Sequence, residues 1–216
     1  MEGVLAAALT TLLGEAPRVV AAGRTDAGAH AEGQVANFWH RGRLAPERIR
    51  LALNALLPED VCVLAADAVD ASFHARYQAL SRTYRYRWRD RGVRSALGRG
   101  QVFDVKARLD EGAMDEAARA AVGTHDWTSF TSVAGDRVRE VTLARVERRA
   151  DAVEFLISGR GFLRGLVRGL AGELTEIGRG RRPVDDMARL IAARARGLAP
   201  PPVPACGLTL VRVDYR

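Results

Sequence analysis

The spacing of apolar residues predicts helices and strands interspersed along the first half of the chain. Apolar side chains recur at helical spacing over 2–13, and Gly14 ends that pattern. A second helical pattern covers 46–57 and stops at Pro58. Apolar runs rich in valine predict strands over 18–22, 34–38 and 61–69.

The clearest strand pattern covers 83–89, which alternates strictly between aromatic residues and arginine. One side carries Tyr84, Tyr86 and Trp88, and the other carries Arg85, Arg87 and Arg89. Aromatic residues on one face of a sheet commonly belong to the core. An aromatic residue beside arginines is also how proteins stack an unpaired base. The spacing alone allows both interpretations.

The second half of the chain repeats the same mixture after an irregular Arg/Gly stretch over 90–100. The predicted elements are a helix from Asp110 through Val122, a strand pair over 138–148 and 152–158, a helix over 161–177, a helix starting near Pro183, and a strand over 208–215 after the Pro-rich segment 199–204. Hairpins among such elements indicate an α+β protein with a largely antiparallel sheet. We expect two subdomains, at 1–100 and 101–216.

The predicted helix over 161–177 carries two rows of residues at helical spacing. Its apolar row is Phe162, Leu166, Leu170 and Leu174, and its small row is Gly165, Gly169 and Gly172. Each interior glycine costs a helix about 1 kcal/mol, so three of them imply close approach of a backbone or ligand. Arg164 and Arg168 lie one turn apart. Each either pairs with a carboxylate or phosphate or extends its guanidinium to solvent.

Composition narrows the class of protein. With 216 residues and 48% hydrophobic content, the chain is long enough for one globular domain or two small ones. The apolar run over 4–9 is too short to span a bilayer, and we expect a cytoplasmic protein. The net charge of +7 favours an anionic partner, most commonly nucleic acid. The choice of arginine over lysine is weaker evidence, because a GC-rich genome produces it for any function.

The stretch "GRTDAGAH", at 23–30, places the carboxylate of Asp26 in a loop of small residues. Such a loop is typical of a surface turn in which aspartate bonds its own backbone, and also of a site that another molecule approaches closely. Gly23 and Gly28 have the spacing of a phosphate-binding loop. Ala29 and His30 follow where lysine and serine or threonine belong, which argues against nucleotide triphosphate hydrolysis.

Neither disulfides nor a metal site can be argued from the cysteines and histidines. Cys62 and Cys206 form no CxxC pair, and the four histidines are scattered without ligand spacing. Cys62 lies in an apolar run and is expected to be a small buried residue. The sequence therefore gives no metal ligands from which a metal site could be predicted.

Five stretches together resemble one family, in order and across nearly the whole chain. They are "GRTDAGAHAEGQVANF", "FHARYQALSRTYRYRW", "THDWTSF", "GRGFLRGLVRGLAGEL" and "GLTLVRVDY". These stretches resemble the tRNA pseudouridine synthase A (TruA) family, with GRTDAG and FHAR as the most specific elements. The resemblance implies a cofactor-free enzyme that isomerises uridine to pseudouridine at positions 38, 39 and 40 of the tRNA anticodon stem-loop. It also implies two α/β subdomains, whose sheets join across a central basic cleft, and a homodimer.

Matching motifs carry the family's site onto particular residues of this sequence. Asp26 would be the catalytic aspartate, Tyr84 the aromatic that stacks on the target base, and Arg168 the basic partner of Asp26. Arg24 would help to displace the base from the stem. The substrate-binding residues implied in this way are Arg24, Thr25, His30, Arg76 and Arg164. Moving the glycosidic bond needs a carboxylate that stays ionised, and an arginine partner provides this. The target base must be extruded into a pocket with a stacking surface.

One departure from the family leaves two hypotheses open. The chain begins with residues that resemble the family's first helix, so the strand before it is expected to be absent. The first hypothesis is an active tRNA uridine isomerase. The second is a shortened RNA-binding protein without turnover. A more remote alternative is an aspartate-dependent hydrolase acting on a small anionic substrate, which would have no affinity for tRNA.

Overall fold

The computed structural model describes residues 1–93, 98 and 100–215, and these form five α-helices and nine β-strands. The helices are α1 (Glu2–Leu13), α2 (Pro46–Leu56), α3 (Glu111–Arg119), α4 (Leu166–Gly178) and α5 (Asp186–Ala193). The strands are β1 (Val20–Ala21), β2 (His30–Ala31), β3 (Ala36–Asn37), β4 (Ser81–Arg89), β5 (Phe103–Asp104), β6 (Gly123–Asp126), β7 (Val138–Arg149), β8 (Ala152–Gly159) and β9 (Leu208–Asp214). Residues 94–97 and 99 of the predicted irregular stretch lie outside the described residues.

The chain forms two compact units that are not contiguous in sequence. The first contains 1–24 and 35–78, and the second contains 25–34 and the residues from 79 onward. This division does not coincide with the expected boundary at residue 100. The reason is strand pairing, since β4 lies between β8 and β9 and is therefore part of the sheet built by the second half of the chain.

The first unit is organised around the two predicted N-terminal helices. Helix α1 ends where expected, at Gly14, whose φ of 73° is in the left-handed region. Pro46 opens α2 as its first residue. Apolar side chains of the two helices form a small core from Ala8, Leu9, Ile49 and Leu53. The strands expected over 18–22 and 34–38 shrink to the two-residue antiparallel pair β1 and β3.

The strand predicted over 61–69 is wrong. That segment has no strand pairing and is mostly exposed, because the side chain of Asn54 in α2 bonds its backbone instead. The Asn54 amide nitrogen donates to the Val63 carbonyl at 2.9 Å, and its oxygen accepts from the Val63 N–H at 2.7 Å. The prediction of a buried Cys62 fails with it, since Cys62 is exposed.

The second unit contains a seven-stranded sheet, in the order β2-β9-β4-β8-β7-β6 with β5 joined to β4. Most pairings are antiparallel, as predicted. Two short strands pair in parallel, β2 with β9 and β5 with β4. The predicted strand pair over 138–148 and 152–158 is confirmed as β7 and β8. The predicted α+β class is confirmed as well.

Burial decides between the two interpretations, core or base stacking, for two of the aromatic residues on β4. Tyr86 and Trp88 are fully buried and belong to the main core with apolar residues of α3, α4 and α5. The Tyr86 hydroxyl donates to the Pro204 carbonyl at 2.7 Å, and the Trp88 indole N–H donates to the Thr175 hydroxyl at 2.9 Å. These two aromatic residues therefore stabilise the core and have no surface for a base.

The arginines on the other side of β4 are paired with acidic residues. Arg85 contacts Glu32 at 2.5 Å, Arg87 contacts Glu154 at 3.0 Å, and Arg89 contacts Asp151 at 3.1 Å. This face of the sheet is thus a network of ion pairs between neighbouring strands and loops, in which Arg85, Arg87 and Arg89 each have an acidic partner.

Two helices are shorter than predicted. Asp110 caps α3 as expected, since its carboxylate accepts from the Ala113 N–H, but α3 ends at Arg119 rather than Val122. Helix α4 begins at Leu166 rather than at residue 161, because Gly165 adopts a left-handed φ of 78° at the N-cap. Among the described residues, no helix has the length and apolar content needed to cross a bilayer.

Gly169 and Gly172 of α4 allow other parts of the backbone to approach the helix closely. A Cβ placed on Gly169 would lie 3.1 Å from the Phe130 carbonyl oxygen, and one on Gly172 would lie 2.8 Å from the Pro201 carbonyl oxygen. The Pro-rich segment 199–204 therefore packs directly against α4. The sequence predicted a close approach, and the structure identifies the approaching chain as the protein's own backbone.

We predict that Gly172→Ala destabilises the protein by about 1–3 kcal/mol, because the new methyl group collides with a backbone carbonyl that cannot rotate away. Gly3 is the matched control, since it is also helical but has open space around it. Gly3→Ala should stabilise the protein by up to about 1 kcal/mol. Urea denaturation of both variants checks this, and equal effects of the two substitutions would contradict the packing described here.

Helix α4 also buries a carboxyl group, that of Glu173. Its side chain is fully buried, with one oxygen 3.0 Å from Arg182 Nη1, and the other oxygen finds no hydrogen-bond partner among the described residues. Burial raises the pKa of Glu173 to about 7, the charge of Arg182 opposes the rise, and Asp186 adds to it. The folded protein therefore binds this proton more tightly than the unfolded chain does.

Because the folded pKa of Glu173 is raised, its contribution to stability is present at acidic pH and lost as the pH rises through about 7. Between pH 5 and pH 8, the free energy of unfolding of the wild type should fall by roughly 2–3 kcal/mol relative to that of Glu173→Gln. Urea denaturation of both proteins at the two pH values measures the difference. The exposed Glu15 supplies the control, and a pH dependence of Glu15→Gln matching that of Glu173→Gln would contradict the assignment.

Candidate active site

The loop that carries Asp26 is attached to the edge of the large sheet. The Asp26 carbonyl accepts from the Ala29 N–H at 3.0 Å, which closes the turn, and Gly28 completes it with a φ of 82°. The following strand β2 pairs in parallel with β9 through His30 and Ala31. This pairing fixes Asp26 in the second unit, although the segments on both sides of the loop belong to the first.

Arg168 reaches Asp26 from the first turn of α4 and is held at both its backbone and its side chain. Its Nε donates to the Val203 carbonyl at 2.7 Å, and its own carbonyl accepts from the Val203 N–H at 3.3 Å. The Pro-rich segment therefore restricts the guanidinium to one orientation, which leaves its terminal nitrogens directed at the Asp26 loop.

The structure brings Asp26 and Arg168 together, with Arg168 Nη1 donating to Asp26 Oδ2 at 2.8 Å. Both side chains are 23% exposed, so the pair is mostly but not completely removed from water. The second oxygen, Oδ1, lies 4.0 Å from Nε of Arg164, whose side chain is 88% exposed. One carboxylate oxygen is thus fixed by a salt bridge, and the other faces a solvent-exposed cation.

Tyr84 is the third predicted catalytic residue, and it is buried on β4 near this pair. Its ring packs edge-on against Phe162 with centroids 5.3 Å apart. Burial raises the pKa of Tyr84, the positive charge of Arg82 lowers it, and the negative charge of Asp26 raises it further. The tyrosine therefore remains protonated at neutral pH, with a hydroxyl that senses the charge of Asp26.

Two contributors to the site were missed by the sequence reasoning. Arg82, a buried residue of β4, donates from Nη1 to the Arg160 carbonyl and so fixes the loop before α4. Val203 orients Arg168 through its backbone alone. The position of Arg82, directly before the alternation over 83–89, could have indicated its role. The role of Val203 could not be read from the sequence, because any residue supplies the same carbonyl.

The predicted substrate-binding residues are divided between the two units. Thr25 is half-buried beside Asp26, and His30 Nε2 contacts the Gly100 carbonyl at 2.6 Å in the second unit. Arg24 and Arg76 are exposed residues of the first unit. The roles of these residues and of Arg164 stay predictions. Within the described ranges, no cluster of three or more His, Cys, Asp or Glu side chains could hold a metal ion.

These features define a class of protein, namely an α+β protein with an arginine-paired carboxylate at a sheet edge and a buried tyrosine beside it. The chain matches a family model described as tRNA pseudouridine synthase over residues 1–78 and 117–216. These matched residues include Asp26, Arg164 and Arg168, and Tyr84 lies in the interval between them. The chain belongs to the tRNA pseudouridine synthase family, and its α+β architecture agrees with that family's fold.

Similar curated proteins cover the whole chain. A protein of Myxococcus xanthus named tRNA pseudouridine synthase A is 42% identical, over all of this chain and 83% of that protein. Proteins of the same name from Rhodopseudomonas palustris strain BisB5 and Azorhizobium caulinodans are 42% and 40% identical, over 89% and 85% of their lengths. The similarity therefore includes the stretch with Tyr84.

A double-mutant cycle tests the Asp26–Arg168 pair independently of any activity. From Asp26→Ala, Arg168→Ala and the double variant, we expect a coupling free energy of about 1–2 kcal/mol, because the pair is largely shielded from water. The exposed pair of Asp185 and Arg189, at 3.6 Å, is the control. Its coupling should not exceed about 0.5 kcal/mol, and equal values for both pairs would contradict the shielding.

Proposed function

We propose that this protein isomerises uridine to pseudouridine at positions 38, 39 and 40 of the tRNA anticodon stem-loop, with Asp26 as the catalytic carboxylate. The observation that carries the proposal is the asymmetry of that carboxylate. Oδ2 is fixed by Arg168 at 2.8 Å, and the ion-pair partner of Oδ1 among the described residues is the exposed Arg164, at 4.0 Å. Oδ1 is the oxygen that can approach a substrate.

The reaction breaks the bond between N1 of uracil and C1′ of ribose and forms a bond between C5 and C1′. The hydrogen on C5 leaves as a proton, and N1 gains one, so no oxidant or reductant is consumed. An arginine orients a carboxylate through a charge-assisted hydrogen bond, and an oriented carboxylate can act as a nucleophile or base at the detached ring or sugar. The contact with Arg168 orients Asp26 for this role.

Tyr84 supports the same assignment as the aromatic neighbour of the carboxylate. Its ring is backed by Phe162, and its hydroxyl stays protonated. Tyr84 keeps 7% of its surface exposed, whereas Tyr86 and Trp88 have none, and an aromatic ring is a stacking surface for a base that has left its helix. We assign Tyr84 the role of holding the uracil while Asp26 reacts.

The exposed arginines are suited to the phosphate backbone around the target. Arg164 extends into solvent beside Asp26, and a guanidinium binds phosphate through two parallel hydrogen bonds. Arg24 and Arg76 are exposed as well, and Thr25 and His30 add polar groups within the loop of Asp26. We assign these five residues to tRNA binding, with Arg24 displacing the target base.

We further propose that the protein acts in the cytoplasm, as a homodimer. The cytoplasmic location is supported by the proposed tRNA substrate, because similar proteins are named tRNA pseudouridine synthase A. The net charge of +7 also favours binding to RNA. The homodimer follows from the family resemblance of the sequence.

Replacing Asp26 by asparagine should lower turnover by at least about a thousandfold, because the new side chain has no charge with which to act as nucleophile or base. Tritium released from C5-labelled uridine in an unmodified tRNA transcript measures turnover, and mapping of pseudouridine locates the product. The affinity for tRNA should be unchanged.

The matched control is Asp185→Asn, which removes an exposed carboxylate of the same unit and should leave turnover at the wild-type rate. Wild-type activity in Asp26→Asn would refute the role of Asp26. Tight binding of tRNA without product from the parent chain would instead show an RNA-binding protein without turnover.

A further inference from the structure

The first unit presents an exposed aromatic side chain that has no part in the proposed catalytic site. Tyr77 is 70% exposed, in a loop over 70–78 that contains no helix or strand. A second exposed aromatic residue, Trp39, is attached to the same loop by its indole N–H, which donates to the Ala71 carbonyl at 3.2 Å. Exposed aromatic side chains are the surfaces on which proteins stack unpaired bases.

The loop that carries Tyr77 is internally bonded. The Asp70 carboxylate accepts from the Ser72 N–H at 2.8 Å, and the Gln78 side-chain oxygen accepts from the His74 N–H at 3.0 Å. The loop is anchored at its centre, where the buried N–H of Ala75 donates to the Asn37 side chain at 2.9 Å. These bonds fix the backbone on both sides of Tyr77.

His74 fixes the orientation of the tyrosine ring as well. Its Nδ1 accepts from the N–H groups of Arg76 and Tyr77, at 3.2 and 3.3 Å. Held in this way, the imidazole stacks on Tyr77 with ring centres 4.3 Å apart and planes inclined by 30°. The guanidinium carbon of Arg76 lies 5.7 Å from the centre of the Tyr77 ring. The ring is thus stacked on one side chain, has a cation over it at 5.7 Å, and is still 70% exposed.

We propose that Tyr77, backed by His74 and flanked by Arg76, forms a stacking platform for an unpaired base of the tRNA substrate. The inference rests on the proposed function for the identity of the RNA. A rigid aromatic ring loses little conformational entropy when a base stacks on it, and every base has a face suited to it. The neighbouring positive charge matches the phosphate of the same nucleotide.

An RNA base fits this surface better than an apolar protein segment does. The ring is accompanied by the charged side chain of Arg76, which suits a nucleotide, with its base and phosphate, better than an apolar segment. The chain's net charge of +7 also favours a polyanion.

The platform is tested by the dissociation constant for unmodified tRNA, measured by fluorescence anisotropy on the full chain at fixed salt. Tyr77→Ala and Tyr77→Leu should raise Kd by about tenfold, because both remove the ring. Tyr77→Phe should bind like the wild type, because the ring remains. Leu64→Ala is the control, since Leu64 is 74% exposed in the same unit, and it should leave Kd unchanged. The rate of pseudouridine formation at saturating tRNA should be the same in all four variants.

Several results would overturn the platform. One is wild-type affinity in Tyr77→Leu, and another is an equal loss in Tyr77→Phe, which would assign the effect to the hydroxyl rather than to stacking. A change of oligomeric state on gel filtration with unchanged affinity would place Tyr77 in a contact between proteins. The binding measurement needs no turnover. A Tyr77-dependent affinity in a chain that forms no pseudouridine would therefore refute the proposed function and leave the platform standing.

Discussion

The salt bridge between Asp26 and Arg168 joins two parts of the chain that lie 142 positions apart in sequence. Neither partner is placed by its own loop or helix alone. The loop of Asp26 depends on the parallel pairing of β2 with β9, and the guanidinium of Arg168 depends on the Val203 carbonyl. Both supports come from the last part of the chain, at 203–214. The geometry of the carboxylate is therefore decided by the packing of this segment.

The glycines of α4 make that packing possible. Any larger residue at position 172 would meet the Pro201 carbonyl, and a displaced Pro-rich segment would carry Val203 away from Arg168. The stability of the core and the orientation of the arginine are consequently coupled through one helix. The same helix also buries Glu173, whose pKa is raised by burial and lowered by the charge of Arg182.

Much of this arrangement was accessible from the sequence because it is local. The helix ending at Gly14, the cap at Asp110 and the alternation over 83–89 follow from backbone and side-chain preferences, and each was predicted. The strand expected over 61–69 failed, because an asparagine side chain in a neighbouring helix competes for its backbone. The helix expected from residue 161 failed because Gly165 is left-handed. Family motifs identified Asp26 and Arg168, but no pattern could reveal that a carbonyl at Val203 orients the arginine.

The loop over 25–34 has a consequence for how the protein is made. It is an excursion of the chain out of the first unit and back again, and it docks on a strand that ends at Asp214. During translation, Asp26 is therefore synthesised long before the residues at 203–214 that position it. Through most of synthesis, the nascent chain contains Asp26 without these contacts. The ion pair assembles only once the final strand has emerged, so a chain cut short before that strand has the Asp26 carboxylate without the contacts that orient it.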